Sequence, residues 1–236
     1  MALPFFYIDQ FDAASSEIEL QEDTSKHIVQ VLRMREGDAL NLTDGKGSLI
    51  RAVIVAAHKK NCLVKVLSAV YQQPAATKVI VAVSLVKNAS RFEWFLEKAT
   101  ELGVTEVIPL ICERTERQHF RYDRMRGILV SAMLQSQQTW LPVLQEPVNF
   151  ESLLKRKFEN ALQLIAHCEE TDKKPFSGFH TEHYSTRIIL IGPEGDFTPQ
   201  EIEGAVVAGY QPVMLGETRL RTETAAVVAA ALLKIR

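Results

Sequence analysis

The sequence predicts a two-part α/β protein: a small β-rich domain, then a layered domain with helices on a mainly parallel sheet. Three observations carry this. Residues 1–71 hold short β-type runs separated by turn signals. From Lys78 onward, apolar runs of strand length alternate with helical stretches. Near the C-terminus, two glycine-containing turns, Ile191–Phe197 and Leu215–Ala226, each follow an apolar run and lead into a helix. At 236 residues and 47% hydrophobic content the chain can bury a sizeable core.

The first domain reads as strands at Phe5–Ile8, Ile18–Leu20, Leu40–Thr43, Leu49–Ala56 and Cys62–Val70, with one helical stretch over Ser25–Arg33. Glu36-Gly37-Asp38 and Asp44-Gly45-Lys46-Gly47 are turns between strands, and the pattern predicts a small β-barrel. Residues 72–77, polar and proline-bearing, form a linker, and 78–236 the second domain. Its elements are a strand at Val79–Val86, a helix over Phe92–Leu102 ending at Gly103, and a strand at Val107–Cys112. A helix over Asp123–Gln138 and strands at Ala161–His167, Arg187–Ile191 and Pro212–Leu215 follow.

The two C-terminal turns are the candidate functional feature. Gly192 and Gly195 permit close backbone approach, and Pro193 stiffens the turn between them. Thr198, Pro199 and Glu201 form a capping box that starts the next helix, and Gly209 stops it. Gly216 ends the following strand, and Thr222 or Thr224 caps an alanine-rich last helix. Only one helix and one strand separate the turns, so both open on the same end of one sheet, where open α/β sheets bind ligands. Neither G-x-x-x-x-G-K-[ST] nor G-x-G-x-x-G is present, which argues against a Walker-type triphosphate or a Rossmann-bound dinucleotide.

Composition narrows the field further. Cys62, Cys112 and Cys168 have no metal or redox spacing and read as buried free thiols; the histidines have no ligand spacing, so no metal is expected. The N-terminus lacks a signal-peptide pattern and no run reaches membrane length, so a soluble, cytoplasmic protein is expected. A net charge of −2 offers no global attraction to phosphate, so any nucleic-acid contact must be local. Arg114–Arg126 is the best patch, with arginines interleaved with His119, Phe120 and Tyr122. Its alternative is a solvated loop and helix start.

GPEG-x-F at 192–197, followed by LG-x-x-x-LRTETA at 215–225, resembles the signature of the RsmE family of ribosomal RNA methyltransferases, of the SPOUT superfamily. HI-x-x-VLRM-x-x-GD at 27–38 and RFEW-x-x-EKATELGV at 91–104 extend the resemblance over nearly the whole chain. It implies a trefoil-knotted methyltransferase domain behind a PUA-like barrel, a homodimer, and methylation of uridine N3 in 16S rRNA from S-adenosylmethionine. The donor would lie on His167, Ile191, Gly192, Pro193, Glu194 and Gly195 from one side. Leu215, Gly216, Leu220, Arg221, Thr222 and Thr224 would hold it from the other. RNA contacts would come from Arg33, Arg35, Arg91, Arg114, Arg117 and Arg121.

For catalysis, Arg221 is the candidate cation beside the base, and Glu194 or Glu223 the candidate proton acceptor. A ribose 2′-O methyltransferase of the same superfamily and a non-catalytic RNA-binding assembly factor are the alternatives. The chain departs from the family at 134–142, where an E-Q-[SC]-G-R-x-R-x-P segment is replaced by LQSQQTWLP; Trp140 or Arg117 is the candidate substitute for the missing arginines. Asp196 also stands where relatives often have glycine.

Overall fold

The computed structural model describes residues 3–116, 118–170 and 172–235. The chain divides into two compact units, one running to Pro74 and including Met133–Leu141, the other comprising Ala75–Ala132 and the residues from Pro142 onward.

The first unit is a five-stranded sheet of β1 (Phe5–Tyr7), β2 (Glu17–Glu19), β3 (Ala39–Thr43), β4 (Ser48–Ala56) and β5 (Leu63–Tyr71), in the order β1-β3-β4-β5-β2. β1 joins β3 in parallel and the other pairs are antiparallel. Register shifts at Arg51/Ala52 and Ile54/Ala56 mark bulges, which bend and twist a strand pair. Alternate residues Leu40, Leu42, Ile50, Ala52, Ile54 and Val64 form the core with Phe6, Leu20 and Ile28. The helical stretch expected over Ser25–Arg33 starts earlier, as α1 (Glu22–Lys26), and continues as a π-helical turn over His27–Val31. Arg33, at φ 55°, lies beyond it in the left-handed region.

Met133–Leu141, which the sequence assigns to the second domain, clusters with this unit. Gly47 N donates to Thr139 O at 2.9 Å, Trp140 Nε1 donates to Gln72 O at 3.0 Å, and the Tyr71 and Trp140 rings meet edge to face at 5.9 Å. Trp140 is therefore held by its own chain. A Cβ on Gly47 would stand 2.7 Å from the Trp140 ring, which explains the glycine there.

The second unit contains β6 (Lys78–Ser84), β7 (Glu106–Ile111), β8 (Val143–Leu144), β9 (Val148–Asn149), β10 (Ala161–Ala166), β11 (Lys174–Pro175), β12 (Thr186–Ile191) and β13 (Gln211–Met214). Their order is β11-β13-β10-β12-β6-β7-β8, with β9 also on β7, and every pair is parallel. The helices are α2 (Ala89–Glu101), α3 (Tyr122–Gln135), α4 (Phe150–Leu154), α5 (Pro199–Val207) and α6 (Thr222–Ile235). On one face of the sheet, Ile80, Ile108, Ile165 and Ile188 pack with Phe150 and Leu153 of α4 and with Ile202 and Ala205 of α5. α6 packs on β6 and β12 and against α2. The strands are buried on both faces, as their continuous apolar runs imply. Arg187 is the exception in character: buried in β12, it donates to the carbonyls of Thr181 and Leu233, tying the end of α6 to the sheet.

β8, β9, α4, β11 and the 3-10 turns at Phe176–Gly178 and Thr181–His183 lie outside the expected set, and α3 ends at Gln135 rather than Gln138. Gln137, at φ 58°, has left the helical region.

Candidate functional site: a cleft at three strand ends

Parallel pairing aligns the ends of three neighbouring strands. Ala166 of β10 stands opposite both Ile191 of β12 and Val213 of β13. The two glycine turns thus leave the sheet on either side of β10, and the residues after β10 fall between them. A cleft of about 650 Å³ opens there. That volume lies within the range of small-molecule and cofactor sites.

One wall is Ala166, His167 and Cys168; the next is Ile191, Gly192, Pro193, Glu194 and Asp196; the third runs from Val213 through Thr222, with Ala225 behind it. Ten of the twelve residues expected to hold a ligand therefore line one cavity; the other two, Gly195 and Thr224, do not. Gly195 faces away: a Cβ on it would meet the Arg114 side chain at 3.4 Å. Among the described residues, neither Thr222 nor Thr224 caps α6 through a side-chain hydrogen bond; the helix opens with Ala225 N donating to Arg221 O at 2.8 Å.

The first turn is strongly held. Thr198 and Glu201 form the expected capping box at the start of α5, and Gly209, at φ 94°, follows its end. A Cβ on Gly192 would stand 3.0 Å from the Phe197 ring and 3.1 Å from its amide nitrogen, so the turn needs glycine at this position. Glu194 Oε1 accepts from Lys87 N at 3.0 Å, and Arg114 Nη1 donates to Gly195 O at 2.7 Å. Asp196 Oδ2 accepts from Cys168 N at 2.7 Å. The second turn differs: Gly216 to Arg219 and Arg221 are exposed, and among the described residues no side chain from Glu217 to Arg221 makes a hydrogen bond or ion pair.

His167 is 8% exposed and neither ring nitrogen has a hydrogen-bond partner. Burial, then the Lys173 ammonium, which reaches the His167 carbonyl at 3.0 Å, holds its pKa below the ordinary imidazole value despite Asp196 and Glu169 nearby. A neutral imidazole with unpaired polar atoms beside a cleft is suited to a hydrogen-bonding ligand.

Glu223 lies outside the cleft lining, its side chain 9% exposed and 3.6 Å from Arg91 Nε. Of the arginines expected to contact RNA, Arg91 faces Glu223 and Arg114 is bound to the first turn. Arg33, Arg35 and Arg121 are exposed; Arg33 and Arg35 flank a shallow depression with Val29 and Met34. Arg117 lies outside the described residues. Cys62 and Cys112 are buried, and burial pushes the Cys112 thiol up to about 12. Cys168 is exposed on the cleft wall, against the sequence expectation, because the chain has left β10 by that point. Lys87 and Lys173 had no sequence signal, since Lys87 acts through its backbone amide on Glu194 and Lys173 on the His167 carbonyl, partners that only the folded chain supplies.

Among the described residues, no group of His, Cys, Asp and Glu is arranged to hold a metal, and no helix is long and apolar enough to cross a membrane.

Residues 73–234 match the family model of the RNA methyltransferase domain, and residues 20–67 that of the RNA methyltransferase PUA domain. A ribosomal RNA small subunit methyltransferase E of Synechocystis is 33% identical over 211 residues, covering 87% of this chain and 68% of the relative. The crystal structure of a probable rRNA-methyltransferase from Porphyromonas gingivalis superposes with a TM-score of 0.90 at 40% identity, covering 98% of each chain. A ribosomal RNA small subunit methyltransferase E from Neisseria gonorrhoeae, bound to S-adenosyl methionine, gives a TM-score of 0.87 at 28% identity over 97% of this chain and 95% of that one. With the domain match running through both strand-end turns and the sheet that aligns them, the chain belongs to the RNA methyltransferase family, alongside the small-subunit ribosomal RNA methyltransferases E.

Proposed function

We infer that this protein methylates small-subunit ribosomal RNA from S-adenosylmethionine, and that the acceptor atom is N3 of a uridine in 16S rRNA. The observation that carries the reading is the cleft at the ends of β10, β12 and β13, with a buried, unpaired His167 and an exposed arginine loop on its walls. These residues fit the donor: backbone at Ile191–Pro193 and Leu215–Gly216 can approach it closely, and His167 offers one donor and one acceptor. Leu220 and Thr222 complete the enclosure. When bound, S-adenosylmethionine supplies an electrophilic methyl group on a sulfonium.

The chain's own residues then do the following. Arg221, exposed on the cleft rim, faces the base and stabilises negative charge on its carbonyl oxygens as N3 loses its proton. Glu194 accepts that proton through Oε2, because Oε1 is engaged by Lys87 N. Glu223, buried beside Arg91, orients that arginine instead. Of the arginines expected to contact RNA, Arg33, Arg35 and Arg121 are exposed and left to meet phosphate.

Homodimerisation, cytoplasmic location and the trefoil knot belong to the same reading. The knot is supported by the path from β13 back across the sheet to α6 on β6 and β12. Dimerisation is supported by Trp94 of α2, a large apolar side chain left 43% exposed. The deciding experiment incubates the protein with labelled donor and small ribosomal subunits, then resolves the nucleosides by mass spectrometry. N3-methyluridine is expected; a ribose-methylated nucleoside would move the acceptor to the 2′ oxygen, and no transfer would overturn the enzymatic reading.

A further inference from the structure

We propose that Asp196 is a positioning residue of the donor cleft, its carboxylate holding the wall after β12 at a set distance from the wall after β10. The inference rests on the reading of the cleft as the S-adenosylmethionine site.

Asp196 stands at φ 63°, in the left-handed region that disfavours residues with a Cβ. Its own amide donates to Pro193 O at 2.9 Å, which closes the turn. Each carboxylate oxygen then takes one amide. Oδ1 accepts from Phe197 N at 2.9 Å, within the turn. Oδ2 accepts from Cys168 N at 2.7 Å, across 28 residues of chain and on the adjoining wall. Asp196 and Cys168 both line the cleft.

A short, charge-assisted bond of this kind is stronger than a neutral amide bond. On its far side the same turn is held by Glu194 to Lys87 and by Arg114 to Gly195. Asp196 therefore supplies the tie towards β10, and with it the spacing between Gly192 and His167, the pair of walls a ligand would bridge. Glycine would accept the backbone angle more readily but could not make the tie; asparagine tolerates the angle and keeps a single acceptor oxygen.

The test compares Asp196→Gly, Asp196→Asn and the full-length parent by calorimetric titration with S-adenosylmethionine, by thermal unfolding, and by steady-state transfer to small subunits. Asp196→Gly should weaken donor binding about tenfold, since the charge-assisted bond that ties the walls is lost together with the one within the turn. It should raise KM for the donor with little change in kcat, and its Tm should stay close to the parent's because the strained angle is relieved. Asp196→Asn should fall between the two in affinity. In the parent the Cys168 amide should be protected from hydrogen exchange, and in Asp196→Gly it should exchange freely. Parent-like donor affinity in Asp196→Gly, or a loss that only follows a fall in Tm, would overturn the proposal while leaving the donor site intact. A parent that fails to bind the donor, with or without small subunits, would overturn the underlying reading and this proposal with it.

Discussion

The two glycine turns of the cleft look alike in sequence and differ in construction. Both leave a parallel strand and enter a helix, and both line the same cavity. The turn after β12 is held by side chains or amides from beyond β6, β7 and β10. The turn after β13 exposes Glu217, Thr218, Arg219 and Arg221 without any such tie among the described residues. One wall is thus preorganised, at the cost of strain at Asp196, and the other keeps its charged groups free for a partner that arrives from solvent. That division suits an enzyme that grips a small donor on one side and a large, flexible nucleic acid on the other.

Substitutions separate the two turns. The largest effect expected is on activity: Arg221→Ala should lower methyl transfer by about 100-fold, the scale for one lost charge-stabilising group, with Tm and small-subunit binding nearly unchanged. If Tm falls as well, the second turn is more firmly held than the structure shows. Next comes Gly192→Ala, whose Cβ meets the Phe197 ring and amide; denaturant unfolding should show a loss of about 1–3 kcal/mol. A smaller loss, about 1 kcal/mol, is expected for Arg114→Ala, which removes the bond to Gly195 O; fast exchange of amides around Gly195 would accompany it.

His167 tests the wall between the turns. Its pKa is lowered in the folded state by burial and then by Lys173, so the unfolded chain takes up the proton first as pH falls. Stability should therefore decline as pH drops below about 6.5, by no more than about 1.4 kcal/mol per pH unit, until the folded-state value is passed. His167→Gln should remove that part of the slope in Tm measured against pH. The smallest effect belongs to Gly216→Ala: nothing lies within 4 Å of the added Cβ, so stability should change by less than about 0.5 kcal/mol. The contrast with Gly192→Ala is the sharpest check that equivalent-looking glycines differ.

Local pattern made much of the molecule legible. The apolar runs of β6, β7, β10, β12 and β13 announced strands buried on both faces, and Thr198-Pro199-x-Glu201 marked the start of α5 to the residue. β8, β9 and β11 were missed because two-residue strands carry no periodicity. The π-helical turn after α1 was read as ordinary helix because the same apolar spacing serves both. On the cleft walls, Gly192, Pro193 and Gly216 could be picked out because turns between strand and helix favour particular residue types. The employment of Arg91 and Arg114 within the chain could not, since a charge in sequence does not name its partner.

By itself the sequence determined the element types, the parallel sheet and the existence of a strand-end pocket, all of which follow from residue spacing and turn chemistry. Tertiary structure alone decided that β10 would lie between β12 and β13 and so set His167 between the turns. It alone drew Met133–Leu141 to the first unit, and gave Asp196 the amide of Cys168. The reason is common to these cases: each depends on which distant segments become neighbours, and strand order and long-range hydrogen bonds leave no periodic trace in the chain that makes them.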